Sequence, residues 1–295
     1  MKASFVNYNA TATFCDDYYR ARDFLIKLDS HNYHFGRWDW MITHEHLDKS
    51  GLSKIGLWEA EGKVVGLATY DCRLGTAFLL TLNGYGHLKS EMILYAKDNL
   101  SKDKKINLVI NDGDFEYQDI ACKNGFLPTQ DKEGDAVFSI DSDNWDYVLP
   151  EGFYITDMLE TPDYYKYGQV LWKGFDHEAN GEGAFSPTEE NMAAYKMSFE
   201  RPNVNKELKI AVVATNGDFV SYCGMWQDNA SKSVLVEPVA TDPAYRKMGL
   251  AKAAVLEAIK RCGMLGATKA FVGSSQQFYY NIGFRPFGTY TIWEC

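Results

Sequence analysis

The stretch VEPVATDPAYRKMGLA, residues 236–251, decides how this chain is read. It extends the apolar run SVL, breaks at Asp242-Pro243, and passes Arg246 and Gly249 into the alanine-rich LAKAAVLEAIKRCGML of 250–265. That order is strand, turn, helix. The first amides of a helix lack internal partners and sit at the positive end of its dipole. Gly249 and Ala251 carry little or no side chain, so a diphosphate can approach the main chain there and accept several N–H groups. Arg246 adds a positive charge beside it. The same small residues would also let the helix pack closely on a sheet, and these residues by themselves do not separate the two readings.

Working outward, the strands LKIAVVAT and FVSYCGMWQ flank Asn216-Gly217, a strong hairpin signal. PDYYKYGQVLWKGF, with Pro162 in its first turn, and PTEENMAAYKMSF read as helices. A strand KAFVG, a helix SQQFYYNI and Gly283-Phe284 follow the alanine-rich helix. The first half runs in the same order. A helix near 16–30 precedes the aromatic stretch HFGRWDWMITHEHL, and the strands GLWEA and KVVGLATY turn at Gly62. The strand TAFLLTL leads through Asn83-Gly84-Tyr85-Gly86 into a helix, then come the strand INLVI, Gly125-Phe126, and a strand pair near 126–140. Gly62 and Gly217, Gly84 and Gly249, and Gly125 and Gly283 are each about 160 residues apart. Such offsets differ by no more than a loop insertion, which costs little entropy. A tandem duplication is expected. The polar, turn-rich segment 141–152, with Pro150, marks the boundary between domains at 1–145 and 150–295.

Composition bounds the rest. A length of 295 residues suits two domains, and 46% apolar with 24% charged residues is ordinary for a soluble globular protein. There is no apolar run of about 18 residues and no secretory h-region at the start, so a cytoplasmic protein without membrane segments is expected. Six scattered cysteines without a C-x-x-C pair read as reduced thiols. A net charge of −10 without a Lys/Arg cluster argues against nucleic-acid binding and suits a cationic acceptor.

Arg246-x-x-Gly249-x-Ala251 after a strand and turn, followed by Tyr279-x-x-x-Gly283-Phe284, resembles the GNAT N-acetyltransferase superfamily. The resemblance covers 150–295. The first half shares the layout but has Thr81-x-x-Gly84-x-Gly86 at the loop and Ala121 four residues before Gly125, so it resembles a degenerate GNAT-like domain. The implied fold is α/β: two GNAT-like domains, each a mixed, mostly antiparallel twisted sheet with a splayed central parallel pair flanked by helices.

The implied activity is transfer of an acetyl group from acetyl-CoA to a primary amine of a small molecule or peptide, by direct attack in a ternary complex and without a metal. The main chain of Val239 and Thr241 would pair with the pantetheine arm as an added strand. The diphosphate would lie against Arg246, Lys247, Met248, Gly249, Leu250 and Ala251. Tyr279, four residues before Gly283, would protonate the departing thiolate, and an N–H near Val239 would stabilise the oxyanion. Glu237, the carboxylate of this strand, is the candidate base. Strand alternation puts Glu237, Val239 and Thr241 on one face unless a bulge intervenes. Acceptor recognition would fall to Trp172, Phe175 and Glu178 around the acidic, glycine-rich loop 173–186, and to Tyr222 and Trp226 of the hairpin. The competing readings are a hydrogen-bonded structural Tyr279, an ion-paired Glu237, a solvated loop, and for the whole chain a non-catalytic acyl-CoA-binding or sensing protein. A monomer or homodimer is expected.

Other signals carry less. His44-Glu45-His46 with His31 and His34 lacks a metal-ligand spacing, so no metal site is expected. Phe35, Trp38, Trp40 and Met41 read as packing, and Asn111-Asp112-Gly113-Asp114 as a turn rather than a calcium loop.

Overall fold

Tight glycine turns and alternating apolar residues set the local structure of both halves: two residues at Glu61-Gly62, and three at 215–217, where the Ala214 carbonyl accepts the Gly217 N–H at 2.8 Å. At Glu61-Gly62 both residues adopt positive φ, 52° and 74°, the backbone that joins two twisted strands without splaying them. A computed structural model describes residues 2–10, 14–30, 32–44, 47–140 and 145–295. His31, Glu45, His46 and the 141–144 part of the expected linker lie outside the described residues.

The elements run β1 (Ser4–Asn7), α1 (Asp16–Leu28), α2 (Phe35–Thr43), β2 (Gly56–Ala60), β3 (Lys63–Asp71), β4 (Arg73–Thr81), α3 (Lys89–Asn99), β5 (Asn107–Asn111), α4 (Phe115–Lys123) and β6 (Leu127–Ser139). The same succession follows: β7 (Tyr154–Asp157), α5 (Tyr164–Gly174), α6 (Glu189–Phe199), β8 (Lys209–Val213), β9 (Phe219–Trp226), β10 (Ser233–Thr241), α7 (Leu250–Met264), β11 (Lys269–Val272), α8 (Gln277–Asn281) and β12 (Arg285–Glu294).

The chain compacts into two units that are not the two contiguous stretches read from sequence. Unit 1 gathers 1–136 with 273–277 and 286–295, and unit 2 holds 137–272 and 278–285. In unit 1, β1 to β4 form an antiparallel run, β4 pairs in parallel with β5 through Thr76 and Ala77 alone, and β12 pairs antiparallel to β5 from Tyr290↔Asn111 to Glu294↔Asn107. In unit 2, β7 to β10 are antiparallel, and β10 pairs in parallel with β11 through Ser233, Val234 and Leu235. Both units therefore carry a central parallel pair joined only at one end.

Burial follows the sequence pattern. Trp38, Phe35 and Met41 of α2 join Trp58, Leu108 and Phe126 in the unit 1 core. The stretch read only as aromatic packing is thus a helix, with His34 at its start accepting the Gly36 N–H through Nδ1 at 3.0 Å. In unit 2, Ala253, Ala254, Ala258 and Ile259 of α7 are buried, whereas Gly249 is exposed and Ala251 only partly covered. Asp163 caps α5, which places Pro162 ahead of the helix rather than in its first turn. Residues 127–139, expected as a strand pair, form the single strand β6.

Asp135 of β6 generates a test. Burial raises its carboxyl to about 6, a shift opposed by the Tyr290 hydroxyl and reinforced by the Glu133 charge. The folded state therefore holds this proton more tightly than the unfolded chain. Its stabilising effect is complete below pH 4 and is lost as pH rises toward 6. Asp135→Asn should match the wild type in thermal melts at pH 4 and be more stable by about 2 kcal/mol at pH 7.5. An equal advantage at both pH values would refute burial as the cause.

Candidate active site

The site is organised by an irregularity in β10. Its register against β9 runs Leu235↔Trp226 and Val236↔Met225, then resumes at Val239↔Cys223, Ala240↔Tyr222 and Thr241↔Ser221. Glu237 and Pro238 thus oppose Gly224 alone, which is a β-bulge. The bulge that would break the shared face of Glu237, Val239 and Thr241 is present: Val239 and Thr241 share a face, and the face of Glu237 is reset. Gly224 makes this possible, because a Cβ there would stand 2.6 Å from the Glu237 carbonyl oxygen and 3.0 Å from Pro238 Cδ. The bulge begins one residue after β10 stops pairing with β11 at Leu235↔Phe271. From Val236 onward β10 is paired only to β9, and an extended ligand can lie along the other edge.

That edge leads to the start of α7. A short turn at Pro243–Tyr245 is capped by Asp242, whose Oδ1 accepts the Ala244 N–H at 2.9 Å. Lys247 and Gly249 then take left-handed backbone, φ 65° and 83°. A Cβ on Gly249 would meet nothing within 4 Å, so the space over the helix start is open. Among the described residues, the N–H groups of Met248, Gly249, Leu250, Ala251 and Lys252 donate to no protein acceptor, whereas that of Ala253 returns to the Gly249 carbonyl. Five donors at the positive end of a helix make a cradle of the size and polarity a diphosphate needs.

Arg246 sits at this loop but faces another way. Its Nε donates to the Thr241 carbonyl at 3.2 Å, and Nη2 donates to the Gly174 carbonyl at 2.9 Å and Asp176 Oδ1 at 2.8 Å. Lys173 pairs with Asp242 at 3.1 Å. Both contacts fasten the end of α5 to the loop. Gly174 allows it, since a Cβ there would lie 2.7 Å from Ala240 Cβ and 2.8 Å from the Thr241 nitrogen.

Tyr279 of α8 packs edge-on against Phe284, with ring centroids 5.4 Å apart. Its side chain is 7% exposed, and burial raises its hydroxyl well above the ordinary phenol, with the Cys223 thiol and the Glu237 carboxylate adding to the shift. The Tyr279 hydroxyl thus lies within electrostatic reach of Glu237 in the bulge and of Cys223 on β9. Gly283 lets the chain turn beside Phe138, where a Cβ would come within 2.9 Å of the ring.

The expected acceptor residues divide. Trp172 stacks on His177 at 4.3 Å and donates its indole N–H to the Gly183 carbonyl at 3.0 Å, while Phe175 is 49% exposed. The acidic residues of this loop are already engaged: Asp176 with Arg246, Glu182 with His177 Nδ1 at 2.7 Å, and Glu178 with the Phe185 N–H at 3.4 Å. The loop is a bonded structure rather than a free anionic patch. Tyr222, 1% exposed, packs against Tyr167 beneath α5, and Trp226, 6% exposed, donates Nε1 to the Glu237 carbonyl at 3.1 Å. Neither presents its side chain at the surface. Two concavities of unit 2, about 320 and 640 Å³, are lined by other residues, among them Asp157, Glu207, Arg261 and Gln227. Neither is lined by the open edge of β10 or the start of α7. Among the described residues no group of three or more metal-capable side chains occurs.

The acetyltransferase (GNAT) family model matches residues 172–284, the span from the end of α5 to Phe284. The GNAT match lies within the C-terminal half. Along its full length the chain shares the fold of the tandem GNAT protein from the clavulanic acid biosynthesis pathway, with a TM-score of 0.63, 13% identity, and coverage of 100% of this chain and 98% of that one. It is also similar to the GCN5-related N-acetyltransferase from Sphaerobacter thermophilus, with a TM-score of 0.59, 13% identity, and coverage of 99% and 95%. At such identity the likeness is one of fold. No curated protein sequence matches the chain.

Several residues that shape this region were given no role by sequence reasoning: Gly224, Gly174 and Lys173. For Gly224 a signal existed, because an isolated glycine inside a strand marks close backbone approach. At the α5 end the contact is with backbone, so Gly174→Ala should cost about 1–3 kcal/mol in urea melts. Unchanged stability would mean that α5 does not depend on this approach.

Proposed function

We propose that the GNAT domain transfers an acetyl group from acetyl-CoA to a primary amine in a ternary complex. The row of unclaimed amides at the start of α7, at the end of a strand edge left open by the bulge, carries this reading. Acetyl-CoA supplies the activated acyl carbon as a thioester. The chain's part is to hold and to move protons. Amides 248–252 bind the diphosphate, and the main chain of Val239 and Thr241 lines the pantetheine arm. Glu237 takes the proton from the acceptor ammonium, directly or through water, so that the amine can attack. The Val239 N–H faces the developing oxyanion. Tyr279 holds its proton at neutral pH because burial disfavours the phenolate, and it gives that proton to the departing thiolate. Arg246, tied to Asp176, acts by fastening the cofactor loop to the end of α5. With Tyr222 and Trp226 covered, acceptor contacts fall first to the exposed Phe175, and beside it to Trp172 and Glu178, which keep their bonds within the loop; together they suit an amine with an apolar body. The site belongs to a cytoplasmic protein, in keeping with six free cysteines.

Acetyl-CoA at about 100 times its Kd should add about 2.7 kcal/mol to stability, and Gly249→Asp should remove that ligand-dependent gain. A wild type whose melting is indifferent to acetyl-CoA would end the reading. With an amine panel, Tyr279→Phe should lower kcat by about 100-fold or more while leaving acetyl-CoA affinity unchanged. Undiminished release of free CoA by that variant would remove Tyr279 from the mechanism. Binding without turnover by the wild type would leave coenzyme capture and discard the transfer.

A further inference from the structure

The bulge in β10 is held from one side by a buried polar pair. Trp226 Nε1 donates to the carbonyl of Glu237 at 3.1 Å, and the missing side chain of Gly224 leaves room for that carbonyl to approach β9. Lys209 lies opposite Gly224 in the β8–β9 register and is 3% exposed. Its Nζ donates to the Met225 carbonyl at 2.8 Å and stands 3.8 Å from the centroid of the Trp226 ring. The same ammonium counters the upward shift of two buried thiols: it moderates Cys223, and it restrains Cys262, which burial pushes up to about 12.

An ammonium is expensive to bury, and packing alone would favour an apolar side chain at position 209. A buried indole N–H also needs an acceptor. Here the cation fixes the ring, and the ring's single N–H fixes one carbonyl, that of the candidate base. We propose that Trp226 and Lys209 are positioning residues: they clamp the Glu237 carbonyl and thereby set where the Glu237 carboxylate and the Val239 N–H stand beside the open edge of β10. The catalytic meaning of the clamp rests on the proposed acetyl transfer, whereas the clamp itself does not.

Trp226→Phe keeps the ring over Lys209 and removes the N–H. In the full chain without ligand, hydrogen exchange of amides within 236–240 should quicken about tenfold or more while 209–213 stay unchanged. With acetyl-CoA and an amine, kcat should fall about tenfold while KM for acetyl-CoA changes less than about twofold. Lys209→Met should reproduce both effects, and Lys209→Arg, which retains the cation over the ring, should restore kcat to within about threefold of the wild type. Unchanged exchange in Trp226→Phe overturns the clamp. Faster exchange with kcat intact overturns its positioning role. Faster exchange in a protein whose wild type turns over no amine upholds the clamp and overturns the acetyl-transfer reading. If Trp226→Phe fails to fold, the Lys209 pair decides by the same readouts.

Discussion

A strand can leave its neighbour only if its own polar groups remain satisfied, and in this protein the β9–β10 bulge meets that condition. Two residues stand opposite Gly224, one of them a proline with no N–H to satisfy, and the freed Glu237 carbonyl is taken by Trp226. Without this arrangement, further pairing of β10 with β11 would close the edge. The opening, the start of α7 and the placement of Tyr279 all follow from β10 ending its parallel pairing at Leu235. The loop after it is then fixed by local chemistry: the Asp242 cap, two left-handed residues, and the tie from Arg246 to the end of α5.

Much of this was legible in the sequence. The glycines at the hairpins and at the α7 start, the alternation of the strands, and the tyrosine four residues before Gly283 are local signals. Local signals survive into the fold because they depend on backbone geometry and near neighbours. The repeat was legible for the same reason, since both halves run strand, two helices, three antiparallel strands, helix, parallel strand, short helix, strand. The choice of partners was not legible. Nothing within 285–294 says that β12 pairs with β5, because an alternating strand looks the same whichever edge it joins. The bulge was foreseen only as an exception, since it depends on what lies across the strand, a glycine and an indole.

Electrostatics gave the least reliable guidance. The net charge and the carboxylates of 173–186 pointed to an anionic welcome for a cationic acceptor. In the structure Asp176 and Glu182 hold the loop together through Arg246 and His177. Charge in a sequence counts groups, while a site depends on which groups remain unspent after folding. Phe175 and Tyr165 remain as exposed aromatic surface at this end of the domain. The corresponding loop of unit 1 shows the same logic in reverse, because there the Glu116 carboxylate stands 3.6 Å from where a Cβ of Gly86 would be.

The membership of β12 in unit 1 bears on how the chain becomes folded during synthesis. Domains usually fold as they emerge, the N-terminal one first. Here residues 1–136 lack a strand of their own sheet until 286–295 have been made, after the whole of unit 2. The exposed edge of β5 is a site for mispairing throughout that interval. Translation thus forces the first unit to wait for the second, so a truncated chain would be marked by an incomplete first unit even when its second unit is nearly whole.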